Sequence, residues 1–566
     1  MAELNSKAQK VFALKYSTGK TKTWKDKCRR NADHIASTEK NFGKSEDEIN
    51  RIAEKFYFYL YDLYMLPGGR IIANTDTGIK NLANCFVLDI QDSRQSIYQT
   101  LKDAAEVFAD GGGLGYNFSH IREEGADIKT TGGQASGPLS FMTLFDQTGE
   151  VISQASRRGA QIAVLDVNHP DLEHFINFKS TLNSRNKRLM QEYDRNLHVV
   201  NGYLNGTKFA DILEKTLLDD QLTHFNISVM VTDEFMECVS KNRNWDLVSP
   251  YDNKVKKTLK AKDLLIKMAE RIHSSGDPGI LNHSRINLDN LVPYIGDIEA
   301  TNPCGEVPLL SGESCILTSI NLHQVYNKKN HCVDYDLLKD IVKTSVRFLD
   351  NVTEISEAPI EKINFMTKGL RRISLGVLGF ADLLVDLDMP YDSSEAVELS
   401  KYLSWFIAFH GWETSFELAK ERGAFPFYEK EKCNFYVIDK VLYGSQYEQS
   451  KININELREI GVRNVAVTGL PPTGSIAIIG GVNSSIEPFF LLCYKRNITE
   501  GIGNIAKDYL IEINPALEYK LKSRGYSKEQ IDEIINYVLE NGSLENCDLV
   551  SEEFRNIFKT ANEINW

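Results

Sequence analysis

The stretch Ala300–Leu322, ATNPCGEVPLLSGESCILTSINL, decides how this chain is read. Its first half sets Cys304 between Asn302 and Glu306. In an extended loop, residues two apart project to the same side. Amide, thiol and carboxylate then converge, a combination suited to radical or acid–base work on a polyol. A lone buried cysteine is more often a small apolar filler, but the surrounding Asn, Pro, Gly and Glu are poor core residues. The second half runs from Glu313-Ser314-Cys315 into the apolar segment ending at Leu322, which reads as a buried strand.

Moving outward, similar short apolar runs recur. They are Cys85–Leu88, Gly115–Phe118, Ile162–Leu165, Phe225–Val229, Ile373–Val377, Asn464–Val467 and Ile486–Phe490. Amphipathic helical stretches separate them. Strands alternating with helices predict an α/β fold with buried parallel strands. Residues 1–66 are charged and helical in pattern, with an apolar stripe over Ile49–Tyr64 that Pro67-Gly68-Gly69 should end. This divides the chain into an N-terminal helical region, 1–66, and a larger unit, 67–566. The polar stretch from Lys179 to Leu222 is long for a structureless loop.

Composition excludes several classes. The chain has 566 residues, 42% hydrophobic and 25% charged, with 65 basic against 78 acidic residues and a net charge of -13. An acidic chain without a basic block is a poor partner for nucleic acid. No apolar run reaches the roughly 18 residues of a membrane span, and the start has no signal-peptide core. Nine cysteines without a CxxC pair are neither a secreted disulfide framework nor a paired-thiolate zinc site. A reducing cytoplasm is the expected location.

Three further segments invite chemistry. Asp110-Gly111-Gly112-Gly113-Leu114-Gly115 would let backbone approach a ligand, or make a plain tight turn. Its spacing is not the dinucleotide fingerprint. Pro471-Pro472-Thr473-Gly474-Ser475-Ile476 offers hydroxyls and N–H groups for a phosphate, or a capped helix start; the Walker lysine is absent. His169-Pro170-Asp171-Leu172-Glu173-His174 suggests metal, but a helix start explains most of it, and a metal site needs three or four converging ligands. No metal ligands are assigned.

Taken together, these segments resemble the catalytic subunit of ribonucleotide reductase, most closely the adenosylcobalamin-dependent class II type. The carriers, in the family's order, are LPGGRIIANTDTGIKNLANCFVLDIQDS, GGGLGYNFSHIREEGADIKTTGGQASGPLSFM, RRGAQIAVLDVNHPDLEHFI, FNISVMVTDEF, DPGI, ATNPCGEVPLLSGESCILTSINL and PPTGSIAIIGGVNSSIEPFF. The resemblance implies a ten-stranded α/β barrel of two parallel halves, with a finger loop carrying Cys304. It also implies reduction of ribonucleotides to 2′-deoxyribonucleotides. Cys304 would become the thiyl radical that takes the 3′ hydrogen, Glu306 would take the 3′-hydroxyl proton, and Asn302 would hold the 2′ side. Cys85 and Cys315 would deliver the reducing equivalents and end as a disulfide. Asn84, Gly112 and Gly113 would line the ribose pocket. Pro472, Thr473, Gly474, Ser475 and Ile476 would bind the substrate phosphates. Asp92 would meet the ribose of a deoxynucleotide allosteric effector, and Lys179–Leu222 falls where the family has its specificity loop.

The implied cofactor is adenosylcobalamin, held without a protein histidine ligand. A homodimer is expected. The chain ends before the family's last barrel strand and cysteine-bearing tail, so a second polypeptide supplying both is expected, the alternative being a cut chain or an interrupted gene product. The alternatives are a class I catalytic subunit activated by a separate metal-bearing radical subunit, and an inactive nucleotide-binding fragment.

Overall fold

Eight short strands, six of them drawn from the apolar runs, build the central sheet of the computed structural model. It describes residues 4–75, 77–129, 132–152, 159–180, 189, 222–497 and 509–565. The strands are β1 (Met65–Pro67), β2 (Cys85–Leu88), β3 (Gly113–Asn117), β4 (Gln161–Asp166), β5 (Phe225–Val231), β6 (Gly279–Asn282), β7 (Ser314–Asn321) and β8 (Ile373–Leu378). Strands β2, β3, β4, β5 and β6 pair in parallel in that order. This five-stranded parallel set is one half of the α/β barrel. Its strands are nearly continuous apolar runs because helices cover the outside and the finger loop fills the inside.

The second half begins at β7, which carries two neighbours along one edge. Its start pairs antiparallel with β2, Cys315 facing Cys85, and its end pairs antiparallel with β1. Along the other edge it runs parallel to β8. The β2–β7 contact is therefore the seam where two oppositely directed halves meet.

Four expectations shift. The helix over Ile49–Tyr64 spans Glu46–Tyr61 and ends at a left-handed Leu63 (φ 63°), not at Pro67. Met65–Pro67 instead pairs with Thr318–Ile320 at the edge of β7, a position that tolerates a missing N–H. Asn464–Val467 forms no strand; its neighbourhood gives one parallel bridge, Leu375 to Thr468. Here Pro471 packs against Gly376 and turns the chain away. Ile486–Phe490 also forms no strand, because the Asn483 amide donates to the Glu487 and Pro488 carbonyls and holds a turn. The central sheet thus holds eight strands among the described residues, against the ten of the expected complete barrel. Most of Lys179–Leu222 lies outside the described residues.

The helices α1 (Ser6–Lys15), α2 (Trp24–Ala36) and α3 (Glu46–Tyr61) share one large apolar core with the barrel. A second core joins Phe489, Leu492, Leu517, Ile534, Val538 and Phe554 against Ala381 and Val385. No helix among the described residues is long and apolar enough to cross a membrane.

Candidate active site

The finger loop is a hairpin whose two-residue arms, Ala300–Thr301 and Pro308–Leu309, pair antiparallel. Asn302 organises its tip. The Asn302 N–H donates to the Val307 carbonyl (3.2 Å), the Val307 N–H donates to Asn302 Oδ1 (2.9 Å), and the Gly305 N–H donates to the Asn302 carbonyl (2.9 Å). Gly305 takes φ +81°, which glycine adopts without strain. The result leaves Cys304 exposed at the apex while Asn302 is fully buried.

The barrel wall is carved to admit this loop. A Cβ on Gly115 would overlap the Thr301 carbonyl oxygen, and one on Gly113 would lie 2.8 Å from the Pro303 ring. The Asn226 amide on β5 donates to the Pro303 carbonyl at 2.7 Å. The glycine run therefore serves the finger loop. Gly113 faces the loop, whereas Gly112 packs against Phe86 and Val107, where a Cβ would lie 2.7 Å from each.

Under the loop lie the two strand cysteines. Cys85 and Cys315 are directly opposed across the antiparallel seam. Opposed antiparallel pairs have Cα atoms about 4.5–5.5 Å apart, within the range a disulfide spans. Cys315 is buried and Cys85 half-buried. Burial pushes the Cys315 thiol well up, and the neighbouring Cys85, Glu306 and Cys304 push the same way. Glu306 is also raised by burial. Its Oε2 and the Asn302 Nδ2 make no hydrogen bond among the described residues. Buried polar atoms left without partners cost free energy. Behind them, Arg372 Nε donates to both Glu313 oxygens at 2.9 and 3.1 Å, fixing the turn that leads into β7.

The segment Pro472–Ile476 follows Pro471, which packs against Gly376 of β8. Thr473, with φ +56°, precedes α4 (Gly474–Gly480), and its Oγ1 accepts from the Ser485 N–H at 2.8 Å. Pro472 and Gly474 are exposed, Ser475 is half-buried, and Ile476 is buried. Asn84 Oδ1 accepts from the Arg70 N–H at 3.2 Å, close by Gly68. A cavity of about 790 Å3 opens beside Glu306. Its wall is largely apolar and includes Leu375, Phe380, Tyr391, Leu403 and Ile407.

Asp92 stands apart from this group, beyond the far end of β2. It accepts from Arg122 Nε at 2.7 Å, and the Arg122 guanidinium lies 3.9 Å over the Tyr251 ring. His169 is internally satisfied: Nε2 meets the Ile121 carbonyl at 2.9 Å, and Nδ1 accepts from the Asp171 N–H at 3.1 Å. Among the described residues no group of three or more His, Cys, Asp and Glu is placed to hold a metal ion. Pattern reading missed Tyr16, Arg70 and Arg372, whose partners all lie far away in sequence.

Comparison with known proteins agrees with this architecture. A family model, described as ribonucleotide reductase, barrel domain, matches residues 83–566. The chain is 37% identical over 517 residues to a vitamin B12-dependent ribonucleoside-diphosphate reductase of Thermoplasma acidophilum, covering 91% of this chain and 58% of that protein. It is 37% identical over 536 residues to a protein of the same name from Mycobacterium tuberculosis, covering 94% of this chain and 67% of that one. In fold it is similar to a class Id ribonucleotide reductase alpha subunit of Actinobacillus ureae, with a TM-score of 0.70 and 22% identity, over 99% of this chain and 86% of that one.

Proposed function

The chain belongs to the ribonucleotide reductase family, and from that premise we propose that it reduces ribonucleotides to 2′-deoxyribonucleotides through a thiyl radical on Cys304. The observation that carries this is the convergence of an exposed thiol and a half-buried carboxylate on the finger loop with two cross-strand thiols on the barrel strands beneath it.

In this reading the Cys304 sulfur takes the 3′ hydrogen atom of the ribose. Glu306 accepts the 3′-hydroxyl proton; its raised pKa makes it a stronger base once ionised. Asn302 Nδ2 donates to the 2′ side, whose hydroxyl leaves as water. Cys85 and Cys315 together supply two electrons and two protons and become a disulfide. Cys304 then returns its hydrogen to C3′. The balance is one ribonucleotide and two thiols in, one deoxyribonucleotide, one water and one disulfide out. Asn84, Gly112 and Gly113 border the ribose, and Pro472–Ile476 receives the phosphates.

The cofactor in this reading is adenosylcobalamin, which when bound supplies the radical initiation that Cys304 needs. The apolar cavity beside Glu306 fits a bulky group with large apolar faces, and Phe380, Tyr391, Leu403 and Ile407 would hold it. Asp92 is assigned to the ribose of a deoxynucleotide effector. The division into residues 1–66 and 67–566, a homodimer, a second polypeptide completing the barrel, and a reducing cytoplasmic setting belong to the same proposal.

The test is an assay of the native protein with adenosylcobalamin, a dithiol and deoxynucleotide effectors. Cobalamin-dependent turnover is expected, with any further chain identified by co-purification. Cys304→Ser should abolish turnover and leave nucleotide binding nearly intact; reduction persisting in that variant would sink the assignment. Turnover that instead needs a metal-bearing radical subunit would replace the cobalamin reading.

A further inference from the structure

The N-terminal helix reaches the phosphate loop. Helix α1 packs on α4. At one end Asn5 caps α1 and its amide lies over Gly481, where a Cβ would come within 3.3 Å. At the other end Tyr16 closes α1, is 4% exposed, and crosses Gly69, where a Cβ would sit 3.2 Å from its hydroxyl. That hydroxyl lies 2.5 Å from Ser475 Oγ.

A serine hydroxyl has one proton and two acceptor lone pairs. If Tyr16 donates to Ser475, the serine proton is free to point outward. Thr473 shows the same arrangement, since the Ser485 N–H already fills one of its lone pairs. Each hydroxyl of the loop then has one lone pair filled and its proton left to donate. Between them, a Cβ on Gly474 would meet no atom within 4 Å, which leaves room for a ligand. A pair of outward donors beside open space suits an acceptor-only group, and a phosphate is one. Successive O–H donors also polarise one another.

Resting on the phosphate-loop reading above, we infer that Tyr16 is a positioning residue for substrate binding: it orients the Ser475 hydroxyl toward the substrate phosphate and makes the N-terminal helix part of the substrate pocket. The test uses the full chain and measures binding of a nucleoside diphosphate and of the same nucleoside without phosphates. Tyr16→Phe should weaken diphosphate binding about five-fold, leave nucleoside binding unchanged, and raise KM with kcat unaltered. Ser475→Ala should weaken diphosphate binding as well, and the double variant should be no weaker than Ser475→Ala alone. Unchanged or tighter diphosphate binding in Tyr16→Phe, with Ser475→Ala weakened, overturns the inference and spares the loop. Equal losses for nucleoside and diphosphate would show a merely structural role and also overturn it. No effect from Ser475→Ala overturns the loop reading and the inference together.

Discussion

Two buried polar regions of this protein are built in opposite ways. Around Asp350, every charge is answered. The carboxylate is fully buried and receives Arg371 (2.7 Å), Arg422 (2.8 Å) and Arg463 (3.2 Å), while Arg422 also reaches Glu39 at 2.7 Å. Burial works against its ionisation, but the three guanidinium groups outweigh it and hold the carboxyl below its ordinary range. Around the finger loop, the Glu306 Oε2 and Asn302 Nδ2 have no well-formed hydrogen bond among the described residues, and burial drives Glu306 upward against a weaker opposing pull from the Asn302 side chain and its own backbone. A closed network fastens the segment after α2 to the barrel helices. An open one waits for a ligand. The first should respond to mutation through stability and the second through activity.

The largest separation is expected from Cys304→Ser, which should lose all measurable turnover with its thermal midpoint unmoved; a parallel loss of midpoint would blur the contrast. Asp350→Ala should do the reverse. Stranding three buried guanidinium groups costs about 3–5 kcal/mol, read as a lower denaturant midpoint. Gly115→Ala lies between. Its Cβ overlaps the Thr301 carbonyl and must displace the finger loop. A misplacement near 1 Å costs about a hundredfold in rate, so kcat should fall far more than stability; wild-type kcat would show that the glycine does not position the loop.

Glu306→Gln gives a small effect on stability and the most diagnostic pH behaviour. A carboxyl raised in the folded state contributes stability below its unfolded pKa and loses it as pH rises through the folded value. At neutral pH the charge is therefore a burden. The glutamine variant should melt slightly higher than wild type at pH 7, and the difference should vanish in acid. The wild-type rate should rise with pH along a limb lying above the ordinary carboxylate range, and the variant should lack that limb. A limb at the ordinary carboxylate value would remove Glu306 from the proposed role.

What pattern reading could see was local. The runs at 85–88, 162–165, 225–229 and 373–377 became strands because an apolar stretch buried on both faces carries its own signature. The thiol with its flanking amide and carboxylate was legible because three informative residues fall within five positions. What it could not see was distant. Tyr16 and Ser475 are separated by 459 positions, and Glu39 and Arg422 by 383. The glycine run was visible, but its use was not. Backbone freedom was legible there, but not that Gly113 and Gly115 also make room for another part of the same chain. Prolines misled where they sat beside apolar residues, since Pro67 joined a sheet edge while Pro488 lies in a turn.

The seam between β2 and β7 has a mechanical consequence. Cys85 and Cys315 face each other where the two half-barrels join, with most of the first half between them in sequence. A bond there would close a very long loop and restrict the unfolded chain by about 5 kcal/mol on the chain-entropy estimate. On the proposed chemistry, each catalytic cycle would rivet the two halves together, and the spent protein would be the sturdier one. Restoring the thiols then means loosening a tightened frame, so the external reductant must work uphill against the architecture as well as against the sulfur chemistry.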